Sequence, residues 1–136
     1  MKSPHLLSVA IFATGLAGCS AAGPGSQGAL PLTVTSDAHL LSVEVSANTE
    51  PVVGTNTVEL TLTRMSDGAP QDGLEVSIVP WMPAMDHGTS TPTVTPKGHG
   101  RYEVSDLYLF MPGTWVLKAT FSGPMSDHAE PEFQIQ

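Results

Sequence analysis

Leu41, Val43 and Val45 alternate with Ser42, Glu44 and Ser46, and Val58, Leu60 and Leu62 alternate with Glu59, Thr61 and Thr63. A period of two puts every apolar side chain on one face, the mark of a half-buried strand. The same alternation returns through Leu74, Val76 and Ile78 until Pro80, which has no backbone donor and ends regular pairing. It resumes in Tyr102 and Val104, then Leu107 and Leu109, then Trp115, Leu117, Ala119 and Phe121, and closes with Phe133 and Ile135. Ser66-Asp67-Gly68-Ala69-Pro70 is a turn cluster, and the prolines of Thr91-Pro92-Thr93-Val94-Thr95-Pro96 disfavour a central strand there. No segment sustains a helical period. The pattern predicts an all-β, immunoglobulin-like antiparallel β-sandwich of about seven strands, with Trp115 as its core aromatic.

The N-terminus has a different pattern. Lys2, an apolar run from Leu6 to Leu16 and small residues before Cys19 read as a secretion signal too short to span a bilayer. Leu16-Ala17-Gly18-Cys19 has the form of a bacterial lipobox, which makes Cys19, the only cysteine, the lipidated first residue of the mature chain. Ser20 in place of Asp fits sorting to the outer membrane. The expected organisation is a lipoprotein signal peptide over 1–18, a flexible Gly/Ser/Pro-rich tether over 19–36 and one β-sandwich domain over 37–136. The expected location is the bacterial cell envelope, on the periplasmic face of the outer membrane.

Charge narrows the partners. The chain carries 5 basic and 13 acidic residues, and removing residues 1–18 takes away Lys2 alone, leaving a net of −9 with neutral histidines. Nucleic acid is excluded as a partner.

Candidate chemistry concentrates in Trp81-Met82-Pro83-Ala84-Met85-Asp86-His87-Gly88. Proline at the second position of Met82-Pro83-Ala84-Met85 favours a turn that lets the two sulfurs converge, with His87 close by. Uncharged, polarizable thioethers select Cu(I) over hard ions, and imidazole serves either copper state. Zinc sites use thiolate, imidazole and carboxylate, and calcium needs an oxygen-rich loop, so neither fits. Trp81 has two readings, a cap on the end of the sandwich or a shield over bound metal. Met125-Ser126-Asp127-His128 echoes the motif at wider spacing, and His99 between two glycines reads as a solvated turn residue.

At Trp81, Met82, Pro83, Met85, His87, Gly88, Gly100, Tyr102 and Phe110-Met111-Pro112-Gly113-Thr114-Trp115 the chain resembles the YtkA-like domain proteins. These are small bacterial envelope β-sandwiches related to the FixH-type accessory proteins of cytochrome oxidase assembly. The resemblance covers residues from about 38 to 121. It implies that the second motif pairs with the first, which adds Met111 as a third sulfur, and it implies a copper role. Where the family pattern has glycine this chain has Asp86, which tolerates the left-handed conformation better than most residues.

No serine-nucleophile elbow, phosphate-binding glycine loop or paired His-Glu zinc motif is present, so an enzyme is not expected. The expectation is a lipid-anchored protein binding Cu(I) through Met82, Met85 and His87 with Met111, to buffer copper or deliver it to a cuproprotein such as an oxidase. The alternative is an immunoglobulin-like interaction or accessory module of an envelope complex that binds no metal.

Overall fold

The computed structural model describes residues 29–136. The expected signal peptide over 1–18 and Cys19 lie outside them. Among the described residues ten strands form two antiparallel sheets: β1 (Leu32–Thr35), β2 (Leu41–Ser46), β3 (Gly54–Arg64), β4 (Glu75–Met82), β5 (His87–Gly88), β6 (Thr93–Gly98), β7 (Arg101–Leu109), β8 (Gly113–Ser122), β9 (Asp127–Ala129) and β10 (Glu132–Ile135). The first sheet runs β1-β2-β3-β7-β6, and the second runs β10-β8-β4-β5 with β9 also on β8. Without β1 and β5, and with β9 and β10 counted as one strand broken at Glu130-Pro131, this is the seven-strand immunoglobulin-type arrangement.

The alternation read from sequence is the alternation of burial. Leu41, Val43, Val45, Leu60, Leu62, Ile78, Leu117 and Phe121 are fully buried, and Trp115, Tyr102, Phe121 and Phe133 are the bulkiest buried side chains. Each fully buried side chain of this size contributes roughly 1.5–3 kcal/mol against exposure. Trp115 is the core aromatic, as expected. No helix among the described residues is long and apolar enough to cross a membrane.

The sandwich begins earlier than the sequence suggested. Residues 32–35, read as the end of the tether, form β1, paired with β2 from Leu32↔Val45 to Thr35↔Ser42. Pro96 is accommodated because β6 is an edge strand whose register shifts just after it, and Pro92 precedes the strand.

Two family-motif residues turn out to hold the crossing from β3 to β4. The Tyr102 hydroxyl accepts from Leu74 N–H (3.2 Å) and donates to the Gln71 carbonyl (3.3 Å). Gly100, at φ +73°, donates its N–H to Asp72 Oδ1 at 2.8 Å, and a Cβ there would stand 2.4 Å from the Leu62 carbonyl oxygen. Only glycine fits both the conformation and the space.

Asp127 ties the β1–β2 turn to β9, and thereby one sheet to the other. Its buried carboxylate accepts from the Ser36 hydroxyl (2.5 Å), Ala38 N–H (2.9 Å), Leu40 N–H (3.3 Å) and His128 N–H (2.8 Å). Burial alone would raise its pKa, but the Ser36 hydroxyl and the three backbone donors together hold it below the usual carboxylate value.

Candidate functional site

β4 delivers Met82 to one end of the sandwich, and the chain then reverses within four residues. Pro83 opens a 3₁₀ turn over Pro83–Met85, at the helical position where its missing N–H matters least. Asp86 closes the turn by donating its N–H to the Pro83 carbonyl at 3.2 Å, in the left-handed conformation (φ 50°, ψ 41°). Asp86 therefore takes up the left-handed conformation that glycine adopts most readily. His87 and Gly88 return as β5 with Met82↔His87 and Trp81↔Gly88 in register, and Thr89 N–H donates to the Pro80 carbonyl at 3.1 Å.

Directly opposed residues of an antiparallel pair share a face of the sheet, so Met82 and His87 project to the same side. Met82 is buried, at 3% exposure, and belongs to the core cluster. Its methyl lies 2.9 Å from where a Cβ at Gly113 would stand. The His87 ring is exposed and meets Phe110 edge-on at 5.2 Å between centroids, and Phe110 meets Trp115 edge-on at 5.0 Å. Trp115 Nε1 donates to the Met111 carbonyl at 3.0 Å, which fixes the backbone of the second turn. A line of three rings thus runs from surface to core beside the buried thioether.

The fold brings Met82, His87 and the Phe110–Gly113 turn together. Met111 is half-buried against the core, and Met85 sits on the tip of the 3₁₀ turn, 55% exposed. Neither reading of Trp81 holds. It lies on the outer face of the second sheet, opposite Val116, with the Lys118 ammonium 3.8 Å over its ring. Its face is opposite to that of its neighbours Met82 and Pro80, so it neither caps the end nor shields the Met82–His87 side. The Met125–His128 segment and His99 lie at the other end of the sandwich: His128 bonds the Asp37 carboxylate at 2.7 Å, and His99 occupies the exposed β6–β7 turn.

Among the described residues no three His, Cys, Asp or Glu side chains gather as a metal-binding group. The side-chain donors of the hairpin are the Met82 and Met85 thioethers, the His87 imidazole and the exposed Asp86 carboxylate, and the thioethers suit a soft ion rather than zinc or calcium. Asp86 is the only charged side chain in the 82–88 hairpin.

The family model for YtkA-like domains matches residues 35–120. The chain belongs to the YtkA-like family. Its matched span contains both motifs, the Met82–His87 hairpin and the Phe110–Trp115 turn, and also the Gly100 and Tyr102 lock. No curated protein and no solved structure matches it.

Two contributors escaped the sequence reading. Phe110 was visible only as a motif member, without its place between His87 and Trp115. Asp127 was visible only within an echo of the methionine motif, although its signal is there: it holds an inward position, with Ala129 next inward and Ser126 and His128 outward.

Proposed function

We propose that this YtkA-like protein is lipid-anchored at Cys19 in the bacterial envelope and binds Cu(I) at the Met82–His87 end of the sandwich. It buffers the ion or hands it to a cuproprotein such as an oxidase. The observation that carries this reading is the Met82↔His87 pairing beside the Phe110–Gly113 turn. Met85 and His87 are the outer, accessible donors, Met111 is half-buried in the neighbouring Phe110–Gly113 turn, and Met82 is the inner thioether under Gly113. An ion held by exposed donors on a rigid hairpin can be passed on by ligand exchange, which suits carriage rather than turnover of a substrate. Titration of the 29–136 domain with Cu(I) against a competing chelator tests the reading. Stoichiometric uptake supports it, and no competition overturns it.

The second reading is a metal-free interaction module. The exposed side chains of Val53, Met85 and Tyr108 at the same end favour it, and unchanged partner capture by H87A and M85L proteins would support it. The anchor is tested separately: C19A protein should leave the membrane fraction.

A further inference from the structure

Strand register places the two chain-level features of this molecule at the same end. Leu32 pairs with Val45, near the top of β2, so the chain enters the sandwich at the end that holds the β2–β3 loop (47–53), the 83–86 turn and the 110–112 turn. Gly54 pairs with Leu109, and Gly113 with Ile135, which sets those loops on one level. Of the seven exposed large hydrophobic side chains among the described residues, four lie there: Val52 (57%), Val53 (44%), Met85 (55%) and Tyr108 (47%). The basic residues of the described chain are Arg64, Lys97, Arg101 and Lys118, and none lies in those three loops.

We infer that this end of the sandwich docks on the surface of the bilayer, a neutral phospholipid surface met by the apolar tips Val52, Val53 and Met85. The inference rests on the Cys19 anchor of the proposed function. Eleven peptide steps separate Cys19 from Leu30, and a chain of that length reaches at most about 40 Å. The entry end is therefore held within that distance of the anchor, and with its apolar tips on the surface the opposite end stands roughly 30 Å away along strands as long as β3. Tethering at this range raises the effective concentration of surface to about the millimolar level, so contacts too weak to bind a free domain become occupied. The three loops carry no Lys or Arg and two exposed carboxylates, Glu50 and Asp86, so they offer no attraction for anionic headgroups, and the chain's overall negative charge opposes them. Apolar contact with zwitterionic lipid is what remains. Docked this way, the Met82–His87 hairpin lies at the membrane surface, where a membrane-embedded acceptor would meet it.

The test uses the full lipidated chain in phosphatidylcholine vesicles containing nitroxide-labelled lipid. A fluorophore is placed at A84C, on the exposed 3₁₀ turn, or at D67C, at the far end. Because Cys19 is the only native cysteine, a lipidated chain takes label only at the new site. The expected result is several-fold stronger quenching at A84C than at D67C, falling to the D67C level in a V52D/V53D background while flotation with vesicles is unchanged. Protein that floats with equal quenching at both sites overturns the docking alone and leaves that end free for a protein partner. Protein that does not float, or whose Cys19 takes label, overturns the anchor and the docking with it.

Discussion

Met82 and His87 stand directly opposite one another across the β4–β5 hairpin, one buried in the core and the other exposed above Phe110. The two residues have unequal structural duties. Substituting each therefore separates packing from metal binding.

Met82 fills core space beneath Gly113, so M82A should cost about 2–5 kcal/mol in urea denaturation, the range for emptying a buried methionine site, whereas M82L should cost under about 1.5 kcal/mol. M85L and H87A, at exposed positions, should leave stability within about 0.5 kcal/mol. Equal losses for M82A and M85L would contradict the burial assigned here.

The hairpin needs a left-handed residue at position 86. D86G should fold with unchanged hairpin geometry, and D86V should lose roughly 1–2 kcal/mol because a β-branched side chain crowds the carbonyl in that conformation. Chemical denaturation of the two variants reads the difference directly. A valine variant as stable as the parent would mean that the turn is closed some other way.

The strand pattern was legible because one face of each sheet is buried, so alternation alone reports the inward side of Leu41–Val45, Val58–Leu62 and Trp115–Phe121. β1 was not legible, since Leu32 and Val34 are only half-buried and follow a Gly/Ser/Pro-rich stretch. Trp81 was legible in principle: the parity that sends Ile78, Pro80 and Met82 inward sends Val79 and Trp81 outward. The spacing of Met82 and His87 suggested proximity. Their opposition, and the ring line through Phe110 to Trp115, depend on contacts between strands that sequence spacing does not encode.

The lock between β7 and the β3–β4 crossing predicts that Y102F costs about 1–2 kcal/mol, because the Leu74 N–H and Gln71 carbonyl lose their buried partner. G100A should cost more, since backbone itself must move away from the new Cβ. Urea midpoints measure both. An order reversed between the two would count against the crowding at Leu62.

Asp127 makes stability depend on pH in a definite direction. Its folded pKa lies below the unfolded value near 3.9, so its contribution is fully present above that value and is lost as pH falls through the folded pKa. D127A should lower stability at neutral pH by about 1–3 kcal/mol, the cost of leaving buried donors unpaired, and should flatten the acid limb of the stability profile. Thermal denaturation between neutral and acid pH follows this, and a parallel acid limb in D127A would show that another carboxylate is responsible.

The copper reading is met most directly by competition titration of the 29–136 domain with Cu(I) in the presence of a chelator of known affinity, repeated for M85L, H87A and M111L. The wild-type domain should take up one ion, and each substitution should weaken that uptake, with the unfolding midpoint unchanged for M85L and H87A and stability lowered by under about 1.5 kcal/mol for half-buried M111L. A wild-type domain that never competes, or three variants that bind as tightly as the parent, would contradict the assignment.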